Sequence, residues 1–230
     1  MGTMARHEAE ESVLRSGSVV SRGRRIDATL RGALRAFHGP RVAWSPPDDP
    51  AIVGCESAAT LTASGPDRFE AIREEADAVF DSIDADGSLP DALAPRLVGG
   101  FSFHDDFQSA PPWRGFPGAR FVLPRVTLAT IDGETWISVT EAGPDATPTS
   151  VTESLDIAEK RIKRAPHREG PSPGVASAER VPGRAGWREQ VRGALDRIVA
   201  GDLEKVVLAQ RLTAHLHGTF RLSDVLGRLD

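Results

Sequence analysis

The stretch ARFVLPRVTLATIDGETWISVT, Ala119 to Thr140, constrains the fold more than any other in this chain. Apolar and polar residues alternate on either side of an Asp-Gly pair, Asp132 and Gly133. Successive side chains of a strand point to opposite faces, so such alternation marks a half-buried strand. Asp and Gly tolerate the positive φ values of a tight hairpin turn. The segment therefore reads as a β-hairpin, Ala119–Ile131 joined through Asp-Gly-Glu to Thr135–Thr140, and it commits the chain around it to antiparallel pairing.

Helical spacing accompanies this strand pattern. Ile26, Leu30, Leu34 and Phe37 fall on one side of a predicted helix. The clearest helix runs from Gly65 to Ile83, with Phe69, Ile72, Ala76, Val79, Phe80 and Ile83 as its apolar face and Pro66 at its first turn. A further helix is predicted over Glu153–Lys163, and short strands over RVAWSPP, AIVGC and RLVGGFSF (Arg96–Phe103). Residues 1 to about 25 are polar and expected to be loosely ordered. Arg164 to Gly183 holds four prolines and three glycines without periodicity, the composition of a flexible connection. Beyond it, Trp187, Val191, Ala194, Leu195 and Ile198 form a helical stripe that Gly201 is suited to cap. EKVVLAQRL, Glu204 to Leu212, reads as a strand, and Ser223 opens one more short helix. The expected organisation is residues 1–165, a Pro/Gly-rich connection over 166–183, and a second part from 184 to 230.

Hydrophobic residues make up 40% of the chain and charged residues 27%, the balance of a globular protein with a real core. A net charge of −5 speaks against nucleic acid as the main partner. Cys55 is the single cysteine, so no internal disulfide can form and a reducing compartment is expected. The N-terminus MGTMARHEAEESV lacks the apolar core of a signal peptide, and no apolar run is long enough for a membrane span. These features predict a cytoplasmic protein.

Several residues invite a chemical reading. Gly99 and Gly100 allow a close backbone approach, but no phosphate-loop or dinucleotide pattern surrounds them. His104, Asp105 and Asp106 are adjacent, so they cannot share a metal without a turn and read as a solvated loop. His215 and His217 share a strand face, yet two ligands alone make a poor metal site. Cys55 carries no nucleophile signature and reads as a small buried residue. Lys205 stands out because the chain holds three lysines against twenty-five arginines. One account is a strand-edge lysine whose ammonium snorkels to water. The other is a desolvated lysine that can shed its proton and act as a base, which an arginine cannot do.

The order of these pieces is more specific than any one of them. LVGGFSF, then PWRGFPGARFVLPRVTL, then a proline-rich gap, then a Trp187-to-Gly201 helix followed by LEKVVLAQ, resembles the chorismate-utilising enzyme family, and within it the isochorismate synthase branch. The resemblance implies an α+β fold of large antiparallel sheets with flanking helices. It implies water addition at C2 of chorismate, loss of the C4 hydroxyl and a shift of the ring double bond, in a menaquinone or siderophore pathway. It also implies that Lys205 is the base, that a general acid protonates the leaving hydroxyl, and that Mg²⁺ binds the substrate carboxylate. Ammonia-using members generally lack this lysine, so Lys205 favours a water-using member, either isochorismate synthase or a salicylate synthase that goes on to release pyruvate.

Two departures from the family pattern shape the expectation. Gln210 stands where many members carry arginine, a change that spares the lysine. Family members are about twice as long, and the acid and the Mg²⁺-binding glutamates lie in the C-terminal part. The chain is thus expected to be an N-terminal portion, inactive alone, or a half-molecule that needs a separate C-terminal chain.

Overall fold

The computed structural model describes residues 18–85, 87–106, 110, 113–165 and 174–218. In chain order the strands of its first part are β1 (Ser18–Ile26), β2 (Arg41–Trp44), β3 (Ala51–Cys55), β4 (Ala59–Ala63), β5 (Ile83–Ala85), β6 (Val98–Phe101), β7 (Ala119–Leu123), β8 (Val126–Ile131) and β9 (Glu134–Gly143). The helices among them are α1 (Leu30–Ala36), α2 (Arg68–Asp81) and α3 (Pro148–Arg164). After these come β10 (Gly174–Val181), α4 (Arg184–Val199) and β11 (Arg211–His217). Two compact units divide between His167 and Arg168.

The Asp-Gly hairpin lies at the centre of the first unit. β8 and β9 pair antiparallel across Asp132 (φ 50°) and Gly133 (φ 78°), the turn their residue types favour. They belong to a six-stranded sheet of order β2-β3-β8-β9-β1-β5 in which only β1 and β5 run parallel. Val126, Leu128, Ala129, Ile137 and Val139 have no exposed surface. α1 and α3 supply apolar cover through Ala33, Leu34, Val151, Leu155, Ala158 and Ile162, all nearly fully buried. Both helices begin on a side-chain cap. Thr29 accepts from the Gly32 amide at 3.1 Å, and Thr147 and Ser150 satisfy each other's amides in a capping box with Pro148 in the first turn.

The predicted Ala119–Ile131 strand breaks at Pro124 into two, because proline has no amide to give to a ladder. Its first half, β7, enters a three-stranded sheet of order β4-β7-β6. One face of that sheet packs Leu61, Ala119 and Leu123 against Ile72 and Val79 of α2. On the other face lie Val98, Gly100, Arg120 and Val122, paired across the β6–β7 register.

Four expectations need correction. Residues 18–26 are not loose but form β1, whose Val19, Val20 and Ser21 are buried while its arginines are held by acids. Strand signal is hidden there by SRGRR, Ser21 to Arg25, five residues in a row without an apolar side chain. On α2 the buried positions are Arg68, Ile72 and Val79, whereas Phe69 and Phe80 remain 53% and 43% exposed. The proline-rich connection is strand from Gly174 to Val181. EKVVLAQRL is strand only from Arg211 onward, with residues 205–210 outside any element. The expected helix at Ser223 lies outside the described residues.

A polar network ties α3 to the sheet and to the turn after β3. Arg125 donates to Glu141 at 2.9 Å, to Ser154 at 3.0 Å and to Glu56 at 3.3 Å, and Arg161 reaches the other oxygen of Glu56 at 3.0 Å. Arg24 of β1 bonds Asp156 of α3 at 2.7 Å, and pairs with Glu159 as well. Burial pushes the Glu141 carboxyl up, but hydrogen bonds from Ser154, Arg125 and Ser150 together hold it below its ordinary value of 4.5. Lys163 and Arg24 likewise hold Glu159 down, against a smaller opposing effect of burial.

A carboxylate depressed in the folded state stabilises the fold fully above its unfolded pKa, and that contribution disappears as pH falls through the folded value. Denaturant midpoints should therefore drop as the solution is acidified below about pH 4.5. Glu141→Gln should lower stability at pH 7 and flatten part of that drop. An identical acid slope in the variant would remove Glu141 from this role.

The β6–β7 approach gives a sharper test. A Cβ added at Gly99 would lie 2.0 Å from the Arg120 carbonyl oxygen and 2.6 Å from Phe121 Cα, both backbone atoms. At Gly100 an added Cβ meets nothing within 4 Å. Gly99→Ala should cost about 3 kcal/mol in chemical denaturation through forced strand separation, whereas Gly100→Ala should stay within about 0.5 kcal/mol of the parent. Equal effects would contradict the register.

Candidate functional site

Lys205 follows α4 closely. The helix ends at Gly201 (φ 83°), and the amides of Asp202 and Leu203 both turn back to the Arg197 carbonyl at 2.9 and 3.3 Å. This is the glycine-terminated stop expected of such a helix. The chain then leaves in an open path in which Glu204 to Val207 are exposed, Val207 by 83%. Lys205 makes no hydrogen bond or ion pair with the described residues. Gln210 uses its side-chain amide to donate to the Pro182 carbonyl at 2.9 Å, which ties the end of this segment to the residue following β10. The variation at Gln210 thus has a local structural use.

The histidines of β11 do not gather ligands. His215 lies opposite Ser177 and His217 opposite Gly174. Among the described residues, no three His, Cys, Asp or Glu side chains converge in a way that could hold a metal ion. The described residues thus offer no cluster of three such ligands for a Mg²⁺ ion. Cys55 is fully buried, and burial pushes its thiol up to about 12, so at neutral pH it is neither nucleophile nor ligand.

Gly99 and Gly100 sit at the margin of a cleft of about 610 Å³ in the first unit. Gly100, Phe103, Trp113, Phe116 and Arg120 line it. Phe103 is 91% exposed and Trp113 57%. Trp113 and Phe116 meet edge to face with ring centres 5.9 Å apart. The cleft is thus an uncovered apolar surface bearing one guanidinium. Lys205 belongs to the second unit.

The residue that organises the cleft's rim is Arg68, which the sequence reading passed over. It is 1% exposed, yet carries a charge. Its guanidinium donates to the Gly65 carbonyl at 2.9 Å, to the Ser102 carbonyl at 3.1 Å and to the Asp105 carboxylate, and it lies 4.4 Å from the Phe69 ring centre. Asp105 therefore serves as an anchor for the loop after β6, not as a ligand. A signal did exist in the sequence. Arg68, Ile72 and Val79 share helical spacing, and an arginine on an apolar stripe calls for buried acceptors.

Arg68→Met should destabilise the chain by about 2–3 kcal/mol, because two carbonyls lose their donor. Arg68→Lys should recover only part of this, since an ammonium lacks the planar fork that spans the three acceptors. Asp105→Asn should cost less than about 1 kcal/mol, its carboxylate being largely in water. Hydrogen exchange at residues 102–106 would report the loosened loop. An unchanged loop in Arg68→Met would refute the anchor.

With this geometry in hand, comparison with known proteins is informative. A family model described as chorismate binding enzyme matches residues 5–230. The salicylate biosynthesis isochorismate synthase of Pseudomonas aeruginosa is 27% identical over 184 residues, covering 78% of this chain and 37% of that protein. The structure of MenF, the menaquinone-specific isochorismate synthase of Escherichia coli, matches with a TM-score of 0.50 at 16% identity, over 95% of this chain and 48% of that one. The chain therefore spans less than half the length of either relative. The expected fold of antiparallel sheets with flanking helices is the one found, here with four α-helices among the described residues. Nearly every residue falls within the family match, and on that ground the chain belongs to the chorismate binding enzyme family.

Proposed function

We propose that this chain supplies the water-activating base of an isochorismate synthase, Lys205, for the conversion of chorismate to isochorismate. The observation that carries the reading is the family match running through GDLEKVVLAQ, the segment that holds this lysine in an arginine-rich chain. In the proposed reaction a water oxygen bonds to C2 while its proton passes to the uncharged Lys205 Nζ. The C1=C2 pair moves to C1=C6, the C5=C6 pair moves to C4=C5, and the C4–O bond breaks. The departing hydroxide takes a proton from an acid, so water is regenerated and the product is an isomer of the substrate.

Only the free amine of Lys205 can accept that proton. A lysine is brought to that form by desolvation, whereas a guanidinium stays charged. Lysine is thus the one basic residue type of this chain's two main cations that can serve. In this reading the acid, and the residues for the Mg²⁺ expected on the substrate carboxylate, come from polypeptide outside this chain.

The test is turnover of chorismate in the presence of Mg²⁺. The 230-residue chain alone should show little or none. A version carrying the remaining length of the family should form isochorismate, and release of salicylate and pyruvate would instead assign it to the salicylate-forming branch. In that longer version, Lys205→Ala and Lys205→Arg should each lower kcat by about 10²–10⁴-fold with chorismate binding retained. Undiminished kcat in Lys205→Ala would exclude Lys205 as the base.

A further inference from the structure

The first unit holds another cleft, of about 530 Å³, between the C-terminal turns of α1 and α3. In a chain of net charge −5 its lining is strongly basic. Arg35, Lys160, Arg161 and Arg164 line it together with Ala36 and Ile157, and no acid does so among the described residues. Spacing along α3 brings its three cations together. Ile157, Lys160, Arg161 and Arg164 recur at i, i+3, i+4 and i+7, which is one face of a helix. Another face of α3 carries its buried residues, Val151, Leu155, Ala158 and Ile162. The basic face is therefore the solvent side of a helix already seated on its sheet.

Lys160 and Arg164 stand at i, i+4, a like-charge spacing that weakens a helix, and neither pairs with an acid among the described residues. Lys163, in the same last turns, reaches Glu159 at 2.6 Å instead. Arg161 is fixed at the groove by Glu56 at 3.0 Å and by the Phe37 ring, whose centre lies 4.6 Å from its guanidinium. Cations in a last turn favour the helix dipole, an effect confined to that turn. It accounts for Arg35 and Arg164 but not for Lys160, nor for cations of two helices meeting in one groove. Covering the groove with apolar polypeptide would be costly, because an ion withdrawn from water without a partner is strongly disfavoured. The face suits a soluble anion, not burial in a core.

We propose that this groove binds a small organic phosphate monoester, its phosphate drawn by Lys160, Arg164 and Arg35 and its organic group resting on Ile157. Guanidinium forks and ammonium groups are matched by oxyanions. A phosphate monoester carries about −1.5 to −2 charge near neutral pH and three acceptor oxygens, so one ligand can answer several cations at once. The volume lies in the range of small-molecule sites and exceeds what a bare ion fills. Ile157, 64% exposed amid the cations, offers the apolar seat that an inorganic ion would leave unused. The site draws only on α1 and α3 and is independent of any role for Lys205 and of chorismate turnover.

The experiment titrates the 230-residue chain with phenyl phosphate at constant ionic strength, read by calorimetry and by amide NMR shifts. The expected result is one saturable site per chain, with shifts at residues 35–36 and 157–164 and none on β6 and β7. Benzoate, the same ring with a single charge, should bind about tenfold more weakly. Lys160→Gln and Arg164→Gln should each weaken phenyl phosphate by about tenfold. Lys163→Gln removes the same charge from a side chain engaged with Glu159, and should stay within about twofold of the parent. Matching denaturation midpoints would show that the groove variants remain folded. The proposal is overturned by no saturable binding, by equal affinity for benzoate, by an equal loss in Lys163→Gln, or by displacement of phenyl phosphate by an equal concentration of chorismate. Binding to vesicles of phosphatidylcholine and phosphatidylglycerol with none to phenyl phosphate would also overturn it, and would assign the groove to a membrane surface.

Discussion

The first unit depends on the pairing of β1 with β9. Nine residues of β1 lie opposite nine of β9, joining segments more than a hundred residues apart. Closing so long a loop is entropically unfavourable, and the cost rises only slowly with length, so a long ladder with a buried face can offset it. Here the ladder carries Val19, Val20, Ser21, Ile137 and Val139 into the interior. The pair then extends the sheet in both directions, to β5 on one side and to β8, β3 and β2 on the other. Without β1, β9 would be an edge strand ten residues long, and Arg24 would not reach the acids of α3.

The three-stranded sheet solves a different problem, that of holding a charged residue in a dry place. Arg68 is tolerated because every partner it meets is an acceptor or an aromatic face, and because Asp105 brings an opposite charge. The bare backbone of Gly99 lets β6 lie against β7 closely enough for Ser102 to present its carbonyl. Sequence motif and buried cation therefore belong to one device. The GGFSF segment is better understood as the strand and anchored loop of this device than as a ligand-binding loop.

How much of this was legible depended on whether a residue's environment is local. The Asp-Gly turn, the Thr147–Pro148 helix start region and the Gly201 stop are set by neighbours in sequence, and the turn and the stop are legible there. β1 was not, because the arginines that break its alternation find their acids at Asp84, Asp156, Glu159 and Glu134, far along the chain. α2 was placed well, and Ile72, Ala76, Val79 and Ile83 lie on the core side as read, but hydrophobicity put Phe69 and Phe80 inward where they stay partly exposed and the buried acceptors favour Arg68. β10 was hidden by its prolines and glycines, which flank the strand and do not interrupt it. The role proposed for Lys205 rests on resemblance alone; the geometry around it is an open segment, and pattern does not separate a base from a snorkelling lysine.

The exposure of residues 204–207 and the chemistry proposed for Lys205 pull in opposite directions, and the resolution follows from physical chemistry. A base that must lose its proton near neutrality needs a low-dielectric setting, and in water the ammonium form is favoured. Nothing described around Lys205 excludes water. The same segment is followed by a ribbon with one apolar face and preceded by a helix with an apolar stripe, both uncovered. Each missing element, desolvation for the amine, cover for the stripe and a partner for the strand edge, is of the kind that one further layer of polypeptide provides. Stability and chemistry in this part of the chain therefore share a single requirement. In the proposed reading, Lys205 gains the low-dielectric setting that a base needs only when further polypeptide covers these surfaces.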